Sequence, residues 1–240
     1  GTRYQRLRLG LWVGMENAVY PQLDPSIQLQ PLPSKVDWIR STSGIDFGKT
    51  QDHPSTVVTI SKASDGVIWV RECWAETGGN LQQIEDAARG QKVRYKVTHG
   101  ITDPIQEVLA QRLGYEAAKS GAGTRKARIS MVTKRLDARA LMFDIDGVGV
   151  RELFDEALSY RWERRETDMV IEDQPVRKDD DRVASLEYAT QAMEQGGNYT
   201  MPPSYNLTYP ARRQTATKAN PFGTRTAAPV GPKILGGGMR

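Results

Sequence analysis

At 240 residues the chain is long enough for one core of ordinary size with flanking segments, because compact domains cluster at about 100 to 150 residues. Hydrophobic residues make up 38% with no apolar run near the roughly 18 residues that span a bilayer, and the single cysteine, Cys73, has no partner for a disulfide or a Cys-based zinc site; a soluble chain in a reducing, cytoplasmic setting, with no membrane partner, is expected. The net charge of +4 belongs to the end of the chain, since residues 196–240 carry six basic residues and no acid and leave residues 1–195 at −2.

The chain opens on Gly1-Thr2-Arg3-Tyr4-Gln5-Arg6-Leu7, with neither an initiator Met nor the apolar centre of a signal peptide, and is expected to begin inside a longer protein. Residues 1–16 alternate basic and apolar positions. Four prolines between Tyr20 and Ser34 then break any regular element, which predicts a linker or extended arm. Three strands follow: around Gly44-Ile45-Asp46-Phe47-Gly48, from Ser55 to Ser61, and from Val67 to Trp74. Their β-branched content and the turn signal Ser64-Asp65-Gly66 predict an antiparallel meander. Asn80–Ala88 reads as a helix and Val93–Val97 as a strand running towards Asp103. Pro104 suits the first turn of a helix with Ile105, Val108, Leu109 and Leu113 on one face, stopped by Gly114. Amphipathic helices are predicted over Lys126–Leu136, Val150–Tyr160 and Arg182–Met193, with Asp144-Ile145-Asp146-Gly147 as a turn into the second of them. Strands first and then helix–strand alternation imply an α/β domain over residues 41–195: a mixed sheet, antiparallel meander then parallel strands, with helices on both faces. Residues 196–240 hold Pro, Gly, Thr, Asn and scattered bases, the composition of a disordered tail that can meet phosphate or an acidic protein surface.

Acidic residues stand at three strand ends or helix starts: Asp46, Asp103, and the run Asp179-Asp180-Asp181. An aspartate inside an apolar strand is costly to bury unless it meets a cation or a strong donor, so Asp46 needs an explanation. Glycines on both sides of Ile45-Asp46-Phe47 allow a backbone or a phosphate to approach closely. Carboxylate oxygens are the ligands that Mg2+ and Mn2+ prefer, and two such ions about 3.5–4 Å apart suit phosphodiester hydrolysis. Taken singly, Asp103-Pro104 is an ordinary helix cap and Asp179–Asp181 a charged helix start. The order of the three sites is the informative feature.

That order resembles the RNase H-like superfamily, and the surrounding motifs resemble the nuclease domain of viral terminase large subunits. Gly44 to Gly48 matches its Gly-x-Asp-x-Gly motif, and Asp103-Pro104 matches its strand ending in Asp-Pro. Asp180-Asp181-Arg182-Val183-Ala184-Ser185-Leu186-Glu187-Tyr188-Ala189 matches its acidic helix start, except that many members carry a further acid where Ala184 stands. Arg3 to Val13 looks like the segment that leaves the terminase ATPase domain, so residues 1–40 would be the end of that domain and a linker arm. The resemblance covers roughly residues 1–193 and implies a metal-dependent endonuclease that cuts concatemeric double-stranded viral DNA during packaging. Asp46 would be shared between two Mg2+ or Mn2+ ions, Asp103 would bind one, and Asp180 or Asp181 the other. Lys49, Arg125, Lys126, Arg128, Lys134 and Arg135 are candidates for holding the DNA backbone, and His53 and His99 for lying near the acids. The same likeness implies a portal protein and a small terminase subunit as partners, a homo-oligomeric motor when full length, an isolated nuclease that is monomeric, and action at the procapsid in the host cytoplasm.

Gly44–Gly48 also resembles a phosphate loop of actin-like ATPases, but a second such loop on a duplicated domain is missing. Asp144–Gly149 lacks the closing glutamate of a calcium loop, and Gly121–Lys126 lacks the spacing of a nucleotide-binding P-loop. Another RNase H-like nuclease, of the resolvase or integrase type, and a non-catalytic module that docks on DNA or a portal remain the alternatives.

Overall fold

The computed structural model describes residues 17–48, 53–164, 170–176 and 180–195. The arm before Asn17, Lys49, Asp179 and the basic tail from Gly196 lie outside the described residues. Strand β2 (Trp38–Asp46) pairs antiparallel with β3 (Ser55–Ala63), and β3 with β4 (Ile68–Glu76). The turn joining β3 to β4 has Gly66 at φ 89°, a conformation that suits glycine, and the Asp65 carboxylate accepts from the Val67 amide at 2.9 Å. The meander expected from the β-branched runs is therefore present.

Four further strands join it in parallel. β5 (His99–Thr102) lies beside β2 and β6 (Glu116–Ala117) beside β5; on the other side β7 (Leu141–Asp144) lies beside β4 and β1 (Leu29–Gln30) beside β7. The sheet order is β1-β7-β4-β3-β2-β5-β6, and a separate antiparallel pair is formed by β8 (Trp162–Arg164) and β9 (Val170–Pro175). The fold is the expected mixed α/β sheet with helices on both faces. One face carries α4 (Thr124–Asp137), α5 (Val150–Ser159) and α6 (Asp181–Gln195), whose Ile129, Val132, Leu136, Leu153, Phe154, Val183 and Leu186 share a core with Val58, Ile60, Ile68 and Val70. The other carries α2 (Leu81–Tyr95) and α3 (Glu107–Leu113), packed through Ile84, Ala88, Leu109 and Leu113 against Ile45 and Val57.

Three expectations change. Val93–Val97 is not a strand: α2, started by an Asn80–Gln83 capping box, runs on to Tyr95 and closes on Lys96 in a left-handed conformation. Ile84, Ala88 and Gln91 recur at helical spacing on its buried side. Gln91 donates to the Val57 carbonyl at 3.2 Å and accepts from Thr59 at 2.6 Å, while Val93 is left 81% exposed. Pro104 does not open a helix; Asp103 and Ile105 form a tight turn, α3 starts at Glu107, and Ile105 and Val108 face solvent rather than the core. The segment read as a linker is packed into the domain from Val19 onward. Val19, Tyr20, Leu23 and Leu29 are buried in the larger core, a short α1 (Pro25–Gln28) is capped by Asp24, and β1 forms the sheet edge.

Helix α6 is buried nearly all round and presses onto β2 at Gly44, where an added Cβ would collide with the backbone of Ser185 and Ala189. Neither backbone can swing away as a flexible side chain would. Gly44→Ala is therefore expected to cost about 1–3 kcal/mol, the usual range for overpacking, read as a lowered urea midpoint at unchanged slope. An unchanged midpoint would mean that α6 can lift off the sheet freely.

Candidate active site

Backbone geometry brings the three acidic segments together. Asp46 ends β2. The carbonyl of Ile45 accepts from the Asp103 amide at 2.9 Å, which fixes the exit of β5 beside it. Across the sheet, Asp46 faces Thr56 of β3, whose hydroxyl donates to the Asp181 carbonyl at 2.9 Å and lies 2.6 Å from Ser185 Oγ. The first turn of α6 is thus tied to the strand next to Asp46. The two flanking glycines do admit close backbone approaches, but by this chain itself: α6 at Gly44, and His53 at Gly48.

The carboxylates have different partners. Asp103 Oδ1 accepts from the Ile105 amide at 2.7 Å, Asp180 Oδ2 pairs with Arg125 Nη2, and Asp181 Oδ2 lies 3.3 Å from His53 Nδ1. Asp46 is held well above the usual carboxylate range, first by burial and then by the negative charges of Asp103, Asp181 and Asp180, with Arg125 opposing. Burial likewise raises Asp181, partly offset by His53. Among the described residues no three His, Cys, Asp or Glu side chains already converge on one point that would hold an ion. The fit to divalent cations lies in donor chemistry and uncompensated charge: four carboxylates near one another, with Arg125 and His53 set against them at close range among the described residues.

Several residues that sequence reasoning passed over complete the site. Glu187, fully buried on α6, sits 3.9 Å from both Arg125 Nε and Arg128 Nε and accepts from the Tyr20 hydroxyl at 3.1 Å. Burial pushes its carboxyl up to about 7 against the pull of the two arginines. The Arg128 guanidinium lies 4.5 Å from the centroid of the Tyr188 ring, and burial, with the nearby charges of Asp46 and Asp103, raises the Tyr188 phenol. Glu156 of α5 accepts from the Val183 amide at 2.9 Å and pairs with Arg182 at 3.0 Å, capping α6 where its acids stand. Helical spacing signals only that such positions share a face, and a lone Glu in a helix carries no mark of burial.

The expected DNA-facing bases divide. Lys126 and Lys134 are exposed. Arg125 and Arg128 point instead into the protein, towards Asp180 and Glu187, and Arg135 is buried with its guanidinium on Glu194. His53 does adjoin the acids; His99 lies at the far end of β5, 3.7 Å from Glu116. Ala184, where an acid is common in the resembled motif, packs beside Ile101, Ala118 and Tyr188. Asp144 folds back as a turn into α5, accepting from the Asp146 and Gly147 amides.

No protein-family model matches the sequence, and no curated protein matches it. Solved structures do. The large terminase from a thermophilic bacteriophage is similar over 80% of this chain at 21% identity with a TM-score of 0.59, and the chain spans 49% of that protein. The large terminase nuclease domain from bacteriophage SPP1, with bound Mn, is similar over 68% of this chain and 96% of its own at 18% identity and TM-score 0.53. The large terminase nuclease from thermophilic phage G20c, with bound magnesium, is similar over 74% of this chain and 98% of its own at 20% identity and TM-score 0.53. The chain shares the fold of the large terminase nucleases.

Proposed function

We propose that this chain is the nuclease part of a viral terminase large subunit, a divalent-metal-dependent endonuclease that cuts double-stranded viral DNA during genome packaging. The observation that carries the reading is the meeting of Asp46, Asp103, Asp180 and Asp181 at one end of a sheet whose fold is that of the large terminase nucleases, two of them solved with Mn or Mg bound. The chain spans about half of the first of those large terminases, and pumping DNA is not assigned to it. A portal protein, a small terminase subunit and an oligomeric motor are the partners this reading implies for the longer protein.

Asp46, Asp103 and Asp181 would hold the cations. Asp180 is kept back by its bond to Arg125, and its charge acts on Asp46 less than that of Asp181 does, which favours Asp181 as the third ligand. Bound divalent ions supply a strengthened water nucleophile and charge to offset the departing 3′ oxygen. The chain's own residues do the rest. His53 steadies Asp181, Glu156 fixes the turn from which Asp180 and Asp181 project, and the Tyr188 phenol adjoins Asp46 and Asp103. Exposed Lys126, together with Lys49, would touch phosphates without reading sequence.

The direct test is supercoiled plasmid incubated with the chain and Mn2+ or Mg2+, in parallel with excess chelator. Nicked and linear products are expected with metal and none with chelator. Cutting in chelator would overturn the metal-dependent reading, and DNA binding with no cutting under any divalent metal would favour a docking module.

A further inference from the structure

A second site lies away from the aspartates. At the start of β2 a cavity of about 820 Å³ opens between that strand, β4 and the C-terminal end of α2. Asp46 is eight residues further along β2, so at roughly 3.3 Å per residue the two ends stand about 26 Å apart. Arg71 is the extra residue of a bulge in β4: Thr59 pairs with Glu72 and Ile60 with Val70, leaving Arg71 unpaired in the ladder. A bulge of this kind re-aims a side chain out of the regular alternation. Here the guanidinium is delivered beside two aromatic rings, 4.2 Å from the centroid of Trp38 and 5.1 Å from that of Tyr95.

Contact with the two rings restrains the guanidinium, and among the described residues no carboxylate pairs with it. Its Nε is buried with no hydrogen-bond partner, and no ion pair reaches it among the described residues. Burial lowers the Arg71 pKa, and the charge of Asp144 offsets this only in part. The other cations lining the cavity are differently placed. Arg94 is matched by Glu72, which also accepts from the Tyr95 hydroxyl at 2.8 Å. Arg40 donates to the Ala192 and Met193 carbonyls at 3.1 and 3.4 Å, and Lys96 is exposed. Arg71 and Lys96 thus line the cavity with Asp37 as the acid there, a surplus of positive charge.

We propose that this cavity is a phosphate-binding site, separate from the aspartate centre, in which Arg71 grips the phosphate of a nucleotide or of a nucleic-acid backbone. A planar, charge-bearing fork with its orientation already set loses little freedom on binding and suits two phosphate oxygens at once. With Trp38 and Tyr95 already beside the guanidinium, what it offers a ligand is its hydrogen-bond donors, which favours an oxyanion over a stacking base. The site stands whether or not the aspartates cut DNA.

The test uses the full chain in chelator, so that no cleavage intervenes, with pyrophosphate, ADP and a 20-base-pair duplex as separate probes and tryptophan fluorescence, which Trp38 reports, as the readout. Arg71→Gln is expected to weaken at least one probe by about tenfold or more, and Arg71→Lys by less. Loss confined to the duplex, with the salt slope falling by about one, identifies a nucleic-acid backbone; loss with ADP and pyrophosphate identifies a free nucleotide. Lys96→Gln, an exposed change, is expected to weaken the same probe about two- to threefold and guards against an Arg71→Gln protein that fails to fold. No binding of any phosphate probe, binding indifferent to both Arg71→Gln and Lys96→Gln, or capture of an acidic peptide in preference to every phosphate overturns the site.

Discussion

Asp46→Asn is expected to lower metal-dependent plasmid cutting by on the order of 10³-fold while raising the thermal midpoint of the metal-free protein. The first half follows from the central place of Asp46, whose neighbours are the other three candidate ligands; a lost metal contact is worth several kcal/mol of transition-state stabilisation, and about 1.4 kcal/mol is tenfold in rate. The second half follows from sign. Burial and three neighbouring carboxylates raise the folded-state pKa of Asp46 above its ordinary 3.8, so the folded protein holds this proton more tightly than the unfolded chain does. The associated stability is present below the unfolded value and is lost as the pH rises through the folded one. At pH 8 the ionised carboxylate therefore works against the metal-free fold, and a neutral amide of the same shape relieves it. Activity and stability moving in opposite directions separate a functional aspartate from a structural one. An Asp46→Asn protein that still cuts, or one that stops cutting because its midpoint has fallen, would remove Asp46 from the centre of the site. Asp181→Asn is expected to follow Asp46→Asn in activity, with Asp180→Asn retaining more cutting.

Glu187→Gln is expected to raise the urea midpoint at pH 8 and to leave it near wild type at pH 5, because the fold holds the Glu187 proton more tightly than the unfolded chain does. Burial, helped by Asp180, raises the Glu187 carboxyl from an ordinary 4.5 to about 7 against the two arginines and the Tyr20 hydroxyl. Stability linked to this proton is fully present below pH 4.5, declines as the pH rises towards 7 and is gone above it. Wild type at pH 5 carries a largely protonated Glu187 that resembles glutamine, whereas at pH 8 it carries a buried charge whose cost the two arginines only partly offset. Urea midpoints of both proteins at pH 5 and pH 8 measure the difference. A Glu187→Gln protein less stable than wild type at pH 8 would show that Arg125 and Arg128 gain more from the ionised carboxylate than its burial costs.

Local pattern made much of this legible. The meander is encoded in β-branched runs and one Asp-Gly turn, and Asp46 and Asp103 reveal themselves by standing at strand ends. The remainder depends on what comes to rest against what. Val93 and Val97 alternate like a strand, yet Gln91 hydrogen-bonds across to β3 and keeps α2 helical through Tyr95. Arg125, Lys126 and Arg128 look like one basic helix face. The buried carboxylate that turns two of them inward comes from another helix far along the chain, and nothing in its local sequence separates it from a solvent-facing glutamate. The prolines before Ser34 suggest an irregular arm, yet a short α1 and the edge strand β1 form among them, and Tyr20 and Leu23 beside them enter the core.

The packing of Tyr20 has a mechanical consequence. The chain from Asn17 to Gln30 is stitched on by the Val19–Tyr160 backbone bond at 3.0 Å, by β1 along β7, and by the Tyr20 hydroxyl on Glu187. Tension applied at Asn17 would be borne first by these links, and the last leads through Glu187 and Arg125 to Asp180. A tug on this end of the domain would reach the aspartate cluster by way of a single phenol.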